Sequence, residues 1–175
     1  MISLGLNLIV HKSIGIVWDF LNNIEAVASC VPTMAKYQLI DDDTLRCDLR
    51  LKLGLIPLES KAEVKITRRE ENRCLKIEGR TEAGDSLKRF GKLKRDTITH
   101  LKIAIGFQQV GPKETLIDFQ LRAQAEGQLK RVYDSIIRGQ REKMERQFIA
   151  NLELRLGVKT FVQARKQDSD RPVCM

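Results

Sequence analysis

Residues 45–66 read LRCDLRLKLGLIPLESKAEVKI, and their spacing decides the fold class. Leu45, Cys47, Leu49, Leu51, Leu53 and Leu55 share one face, while Arg46, Asp48, Arg50 and Lys52 share the other. A turn or bend falls in Gly54 to Pro57. Beyond it Leu58, Ser60, Ala62, Val64 and Ile66 point inward, against Glu59, Lys61, Glu63 and Lys65. Such alternation describes antiparallel strands with one wet face. The charged rows carry opposite signs, so cross-strand pairs of roughly a few tenths of a kcal/mol each are expected.

Working outward toward the N-terminus, Tyr37 to Ile40 makes a short strand, and Val31-Pro32 ends helical structure because proline pushes its predecessor out of the α region. Before it lie two short helices, Ile24 to Ser29 and a segment capped by Ser13 that runs through Trp18 to about Leu21. Leu4, Leu6, Leu8 and Val10 alternate as a first strand. This N-terminus has neither a basic region nor a small-residue cleavage site and does not read as a signal peptide.

Toward the C-terminus, Arg69 to Asn72 turns into a strand carrying Leu75, Ile77 and Gly79. Two more strands follow, one with Leu101, Ile103, Ile105 and Phe107, the other with Ile117, Phe119, Leu121, Ala123 and Ala125, joined by a turn at Gly111 to Lys113. The total is about seven strands. From Gln128 to Leu156 the period changes: Leu129, Val132, Tyr133, Ile136, Ile137, Met144, Phe148, Leu152 and Leu156 recur at helical steps. That predicts a helix about 43 Å long, ended by Gly157 as C′ residue. Gly139 inside it costs roughly 1 kcal/mol against alanine, which points to a close approach by ligand or backbone. Strands with one apolar face and a segregated long helix make an α+β layer. Residues 158–175 are expected to form a mostly flexible tail after a domain of residues 1–157, with Val158, Phe161 and Val162 briefly extending the helix.

The 175 residues suit one domain, with 42% apolar and 31% charged residues. No apolar run reaches the roughly 20 residues that span a bilayer, and a cytoplasmic protein is expected. Cys30, Cys47, Cys74 and Cys174 include no Cys-x-x-Cys pair, and buried free thiols are the expectation for the first three. His11 and His100 have no partner at metal-ligand spacing, so no metal site is expected. A net charge of +8 fits either an anionic partner or a basic solvated surface.

Val17-Trp18 followed by Leu21, then Ala28-Ser29-Cys30-Val31-Pro32, and later Ala123-Gln124-Ala125-Glu126-Gly127-Gln128-Leu129, together carry a resemblance. Over about residues 3–156 the chain resembles the CoxG family of carbon monoxide dehydrogenase, within the START-like superfamily of lipid-transfer domains, the birch pollen allergen and polyketide cyclases. The resemblance implies a helix-grip fold, a curved antiparallel sheet with two short helices and one long C-terminal helix. It also implies a cavity for a lipophilic ligand such as a quinone, isoprenoid or fatty acid, and a partner of the molybdenum hydroxylase type at the inner face of the membrane. Thr33 follows Pro32 where the family commonly has glycine, and residues 84–100 are longer and more basic than usual.

In such a fold the N-terminal half of the long helix stands away from the sheet. Tyr133, Ile136, Ile137 and Gln140 would face the gap, with Phe107 and Phe119 below and Trp18 and Leu21 completing the ligand-binding set. A mostly apolar pocket with one or two polar groups suits a hydrophobic ligand, although an apolar helical stripe is ordinarily plain core. A second candidate is the basic segment of residues 87–95, where Lys88, Arg89, Phe90, Lys92, Lys94 and Arg95 suit an anionic membrane surface; its bland alternative is a solvated strand extension. Aromatics make up only 5% of the chain, which disfavours nucleic acid. No catalytic residue is assigned: Asp41 to Asp43 reads as a turn, and only Tyr133 or His100 offers a handle for a cyclase-like reaction. The reading is a non-enzymatic carrier or accessory protein; a cyclase-like enzyme and a basic adaptor for nucleic acid or protein are the alternatives.

Overall fold

The alternation in residues 45–66 closes into a two-residue hairpin whose turn needs a left-handed residue, supplied by Gly54 at φ +61°. The computed structural model describes residues 2–91, 98–125 and 127–163. Its elements are β1 (Ile2–Val10), α1 (Ile14–Leu21), α2 (Ile24–Cys30), β2 (Met34–Leu39), β3 (Thr44–Leu53), β4 (Ile56–Glu70) and β5 (Cys74–Ala83). After these come α3 (Asp85–Gly91), β6 (Ile98–Gly111), β7 (Glu114–Gln124), α4 (Gly127–Leu156) and β8 (Thr160–Val162). The strands form one antiparallel sheet in the order β2-β3-β4-β5-β6-β7-β1-β8, with α4 lying across its inner face. This is the expected α+β helix-grip architecture.

Register explains the inward face. Cys47 sits opposite Ala62, Ala62 opposite Thr81, and Thr81 opposite Thr99. Further along, Leu4, Leu121 and Ile103 lie in one row across β1, β7 and β6. On the outer face the opposite charges do meet: Arg46 faces Glu63 at 2.7 Å and Arg50 faces Glu59 at 3.5 Å. Strand β5 bends closely over β4 at Gly79, where a Cβ would stand 2.6 Å from Val64 Cγ1 and 2.7 Å from the Glu63 carbonyl oxygen. No larger residue fits there without moving the strand.

The short helices are held differently. Ser13 occupies the N-cap of α1 without a side-chain bond, whereas the Asn23 side-chain oxygen accepts from the amides of Glu25 (2.9 Å) and Ala26 (3.1 Å) at the start of α2. Helix α4 ends as expected at Gly157, φ +67°, where the Val158 amide donates back to the Glu153 carbonyl at 3.2 Å.

Four expectations need correction. The sheet has eight strands among the described residues, because Thr160–Val162 pairs with β1 instead of extending the helix. The left-handed Gly157 reverses the chain there. Leu55 is 98% exposed at the hairpin tip, since the turn takes it out of the alternation. No backbone among the described residues approaches Gly139: a Cβ there would meet open space. Cys74 is disulfide-bonded, so free buried thiols are found at Cys30 and Cys47 alone among the described residues.

The eighth strand depends on one carboxylate. Glu153 Oε1 accepts from the Thr160 amide (2.8 Å) and hydroxyl (2.9 Å), and these two bonds hold its pKa below the ordinary value. A depressed carboxylate pKa means the tie is present at neutral pH and is lost as pH falls through the depressed value. Glu153→Ala should therefore speed amide hydrogen exchange at Gln163, whose N–H reaches the Asn7 carbonyl at 2.9 Å. Global stability should change by no more than about 1 kcal/mol. A large global loss in urea unfolding, with exchange at Gln163 unaltered, would contradict this.

Candidate functional site

The inner face of the sheet is too wide for α4 to fill. Most of the buried apolar side chains among the described residues fall into two clusters. One joins α1, α2 and the far ends of β3 to β7, and includes Trp18, Leu21, Leu45, Leu75, Ile105, Phe107 and, from the end of α4, Leu152. The other gathers Leu58, Ala83 and Ala125 around Leu129, Val132 and Ile136 from the start of α4. Between them, under the central turns of α4, lies a cavity of about 310 Å³. That is roughly twice the ~150 Å³ apolar void that takes a benzene ring, and it falls within the range of small-molecule sites.

Its wall is aliphatic and aromatic. Leu4, Leu6, Ile103, Leu121 and Phe119 come from the sheet, Ile24, Val27 and Ala28 from α2, and Tyr133, Ile136, Ile137, Met144 and Phe148 from α4. Phe119 and Phe148 stack at a tilt with centroids 5.7 Å apart. Among the described residues two charged side chains touch it, Arg141 and Glu145, and they pair with each other at 2.8 Å while remaining partly exposed. They mark where the cavity reaches the surface, beside Val31, Pro32 and Thr33. The Thr33 carbonyl accepts from the Arg50 amide at 2.7 Å, which fixes this rim.

Polar groups also occur at depth. Ser60, Thr81 and Thr99 line the cavity at 2%, 4% and 1% exposure, and the hydroxyls of Thr81 and Thr99 find no hydrogen-bond partner among the described residues. Cys47 shares their row, but burial, reinforced by neighbouring Asp48, pushes its thiol up to about 11. A thiol so protonated at neutral pH makes a poor nucleophile.

The candidates named from the sequence separate by position. Phe119, Tyr133, Ile136 and Ile137 line the cavity together. Trp18 and Leu21 are buried in the first cluster instead, Trp18 edge-on to Phe107 with centroids 5.1 Å apart, and none of these three lies on the wall. The Gln140 side-chain nitrogen donates to the Lys52 carbonyl, tying α4 to β3 from outside the wall. His100 alternates with the wall residues Thr99 and Leu101 and so takes the opposite face of the sheet from Tyr133. Asp41 accepts from the Asp43 amide at 2.8 Å in the expected turn. Of the basic segment, Lys88 and Arg89 lie in α3 and Phe90 in its backbone, while Lys92, Lys94 and Arg95 fall outside the described residues. No helix among the described residues is long and apolar enough to cross a membrane.

The hydroxyl pair was missed from the sequence. The signal was present: counting by twos from Ile77 through Gly79 gives Thr81, and counting back from Leu101 gives Thr99. Only the register shows that these two inward threonines are opposite each other.

Comparison with known proteins agrees with this architecture. The family model for the carbon monoxide dehydrogenase protein CoxG matches residues 8–157. No curated protein matches the chain. Among solved structures, a conserved protein from Geobacillus kaustophilus superposes with a TM-score of 0.69 at 13% identity, covering 91% of this chain and 99% of that one. A START superfamily protein from Mycobacterium smegmatis gives 0.57 at 14% identity, covering 89% and 97%. A protein from Arthrobacter aurescens gives 0.57 at 11% identity, covering 89% and 86%. At such identities the likeness is one of fold.

Proposed function

The chain belongs to the CoxG family of carbon monoxide dehydrogenase, and from that premise we propose that it is a non-enzymatic carrier or accessory protein that holds a lipophilic small molecule between sheet and α4. The observation that supports this best is the cavity of about 310 Å³ with an almost wholly apolar wall. Such a wall gains from excluding water against hydrocarbon, by about 25 cal/mol per Å² of apolar surface covered. An isoprenoid, a quinone or a fatty acyl chain has the required chemistry. The family's name supports a carbon monoxide dehydrogenase as the partner served; that this partner is a molybdenum hydroxylase at the inner face of a membrane is part of the same proposal. Lys88, Arg89, Phe90, Lys92, Lys94 and Arg95 are the proposed contact with that anionic surface.

Mass spectrometry of an organic extract of the purified protein, against a matched blank, tests the cargo. One lipophile per chain, identified by mass, is the expected result. An empty extract after expression in a lipid-rich host, with no uptake of added lipophile, would sink the carrier reading.

A further inference from the structure

Thr81 on β5 and Thr99 on β6 are direct cross-strand neighbours, both facing the cavity and both almost wholly buried. Threonines so placed ordinarily satisfy one another, and buried hydroxyls are almost always bonded. Here neither Oγ1 has a partner among the described residues. Two unpartnered donors packed within the wall of a hydrocarbon-lined space are therefore an unexplained cost to the fold. Rotation of each threonine to another staggered χ1 well exchanges methyl for hydroxyl at the cavity surface, and one ligand atom bonded to both hydroxyls would then remove that cost.

We propose that Thr81 and Thr99 form the polar subsite of the cavity, together receiving one neutral oxygen, of the carbonyl or ether kind, on an otherwise hydrocarbon ligand. This rests on the carrier reading above and adds the chemistry of the head group. The geometry suits a single acceptor. Opposed residues hold their Cβ atoms about 4.5–5.5 Å apart, and an oxygen between them accepts from each at about 2.8 Å. A carbonyl oxygen has the two lone pairs this requires. An ionised head group is disfavoured, because the charged side chains on the wall among the described residues, Arg141 and Glu145, neutralise each other. Ser60, one strand away on β4 and 2% exposed, adds a third hydroxyl to the same wall.

The test compares two probes of equal heavy-atom count, 2-undecanone and n-dodecane, by displacement of the neutral dye N-phenyl-1-naphthylamine. Intrinsic differences in their hydrophobicity cancel when the ketone-to-alkane affinity ratio is compared between proteins. In the full chain carrying Thr81→Val and Thr99→Val the ratio should fall about tenfold, which is ~1.4 kcal/mol. Each single variant should give part of that, and Thr81→Ser with Thr99→Ser should retain the ratio. The valine variants should melt no lower than the parent, since each removes an unpaired hydroxyl. If both probes displace the dye but the ratio is the same in every variant, water satisfies the hydroxyls and the subsite is overturned while the cavity reading stands. If neither probe displaces the dye and the dye itself does not bind, the cavity reading fails and the subsite with it.

Discussion

Ile137→Asp is expected to lower affinity for N-phenyl-1-naphthylamine by about a hundredfold or more, ~2.7 kcal/mol, in a protein that stays folded. Ile137 faces the cavity from the middle of α4 and is only partly buried, so its replacement leaves both core clusters intact. A carboxylate at this position meets a wall that is almost wholly apolar. Binding an apolar molecule would strip its water, and an unpaired buried charge costs several kcal/mol. Arg141 stands one turn further along the helix, at i+4, where it could receive the new carboxylate. Its guanidinium is already held by Glu145 at 2.8 Å, so the two carboxylates would compete for it. Ile137→Met, which conserves volume and polarity, should bind the dye as the parent does. Retention of dye or co-purified lipophile by the aspartate variant would place the cargo elsewhere and overturn the assignment of this helix face to the ligand.

Trp18→Ala should act on the other half of the molecule, costing about 3–5 kcal/mol of stability in urea unfolding. The side chain is 5% exposed and packs edge-on against Phe107, while Val17 and Leu21 from the same helix are buried beside it. Its loss opens a void that neighbouring α2 and the sheet cannot close without shifting. Against a total stability of about 5–15 kcal/mol, that is a large fraction. Because Trp18 does not touch the cavity, the dye affinity of the folded fraction should hold, and Trp18→Phe should recover much of the stability without altering it. A selective loss of dye affinity in Trp18→Phe, at unchanged stability, would return Trp18 to the ligand site. These two variants together separate the residues that hold the fold from those that face the proposed cargo.

What the sequence determined by itself is the set of faces. A period of two put Leu45, Leu58, Ile77 and Ile105 on one side of their strands, and a period near 3.6 put Leu129, Val132, Ile136 and Leu152 on one side of α4; all eight are buried. Gly54 and Gly157 likewise announced their turns, because positive φ is a local demand that glycine meets best. Phe119, Tyr133, Ile136 and Ile137 were legible as inward residues for the same reason. Whether an inward residue meets another side chain or an empty space was not legible. That depends on sheet curvature, on close approaches such as Gly79 over Val64, and on the summed volumes between sheet and helix. Tertiary structure alone therefore assigned Trp18, Leu21 and Phe107 to the core and Phe119 to the cavity wall. It also brought Thr81 and Thr99 side by side, since pairing register is a relation between distant segments that no local period encodes.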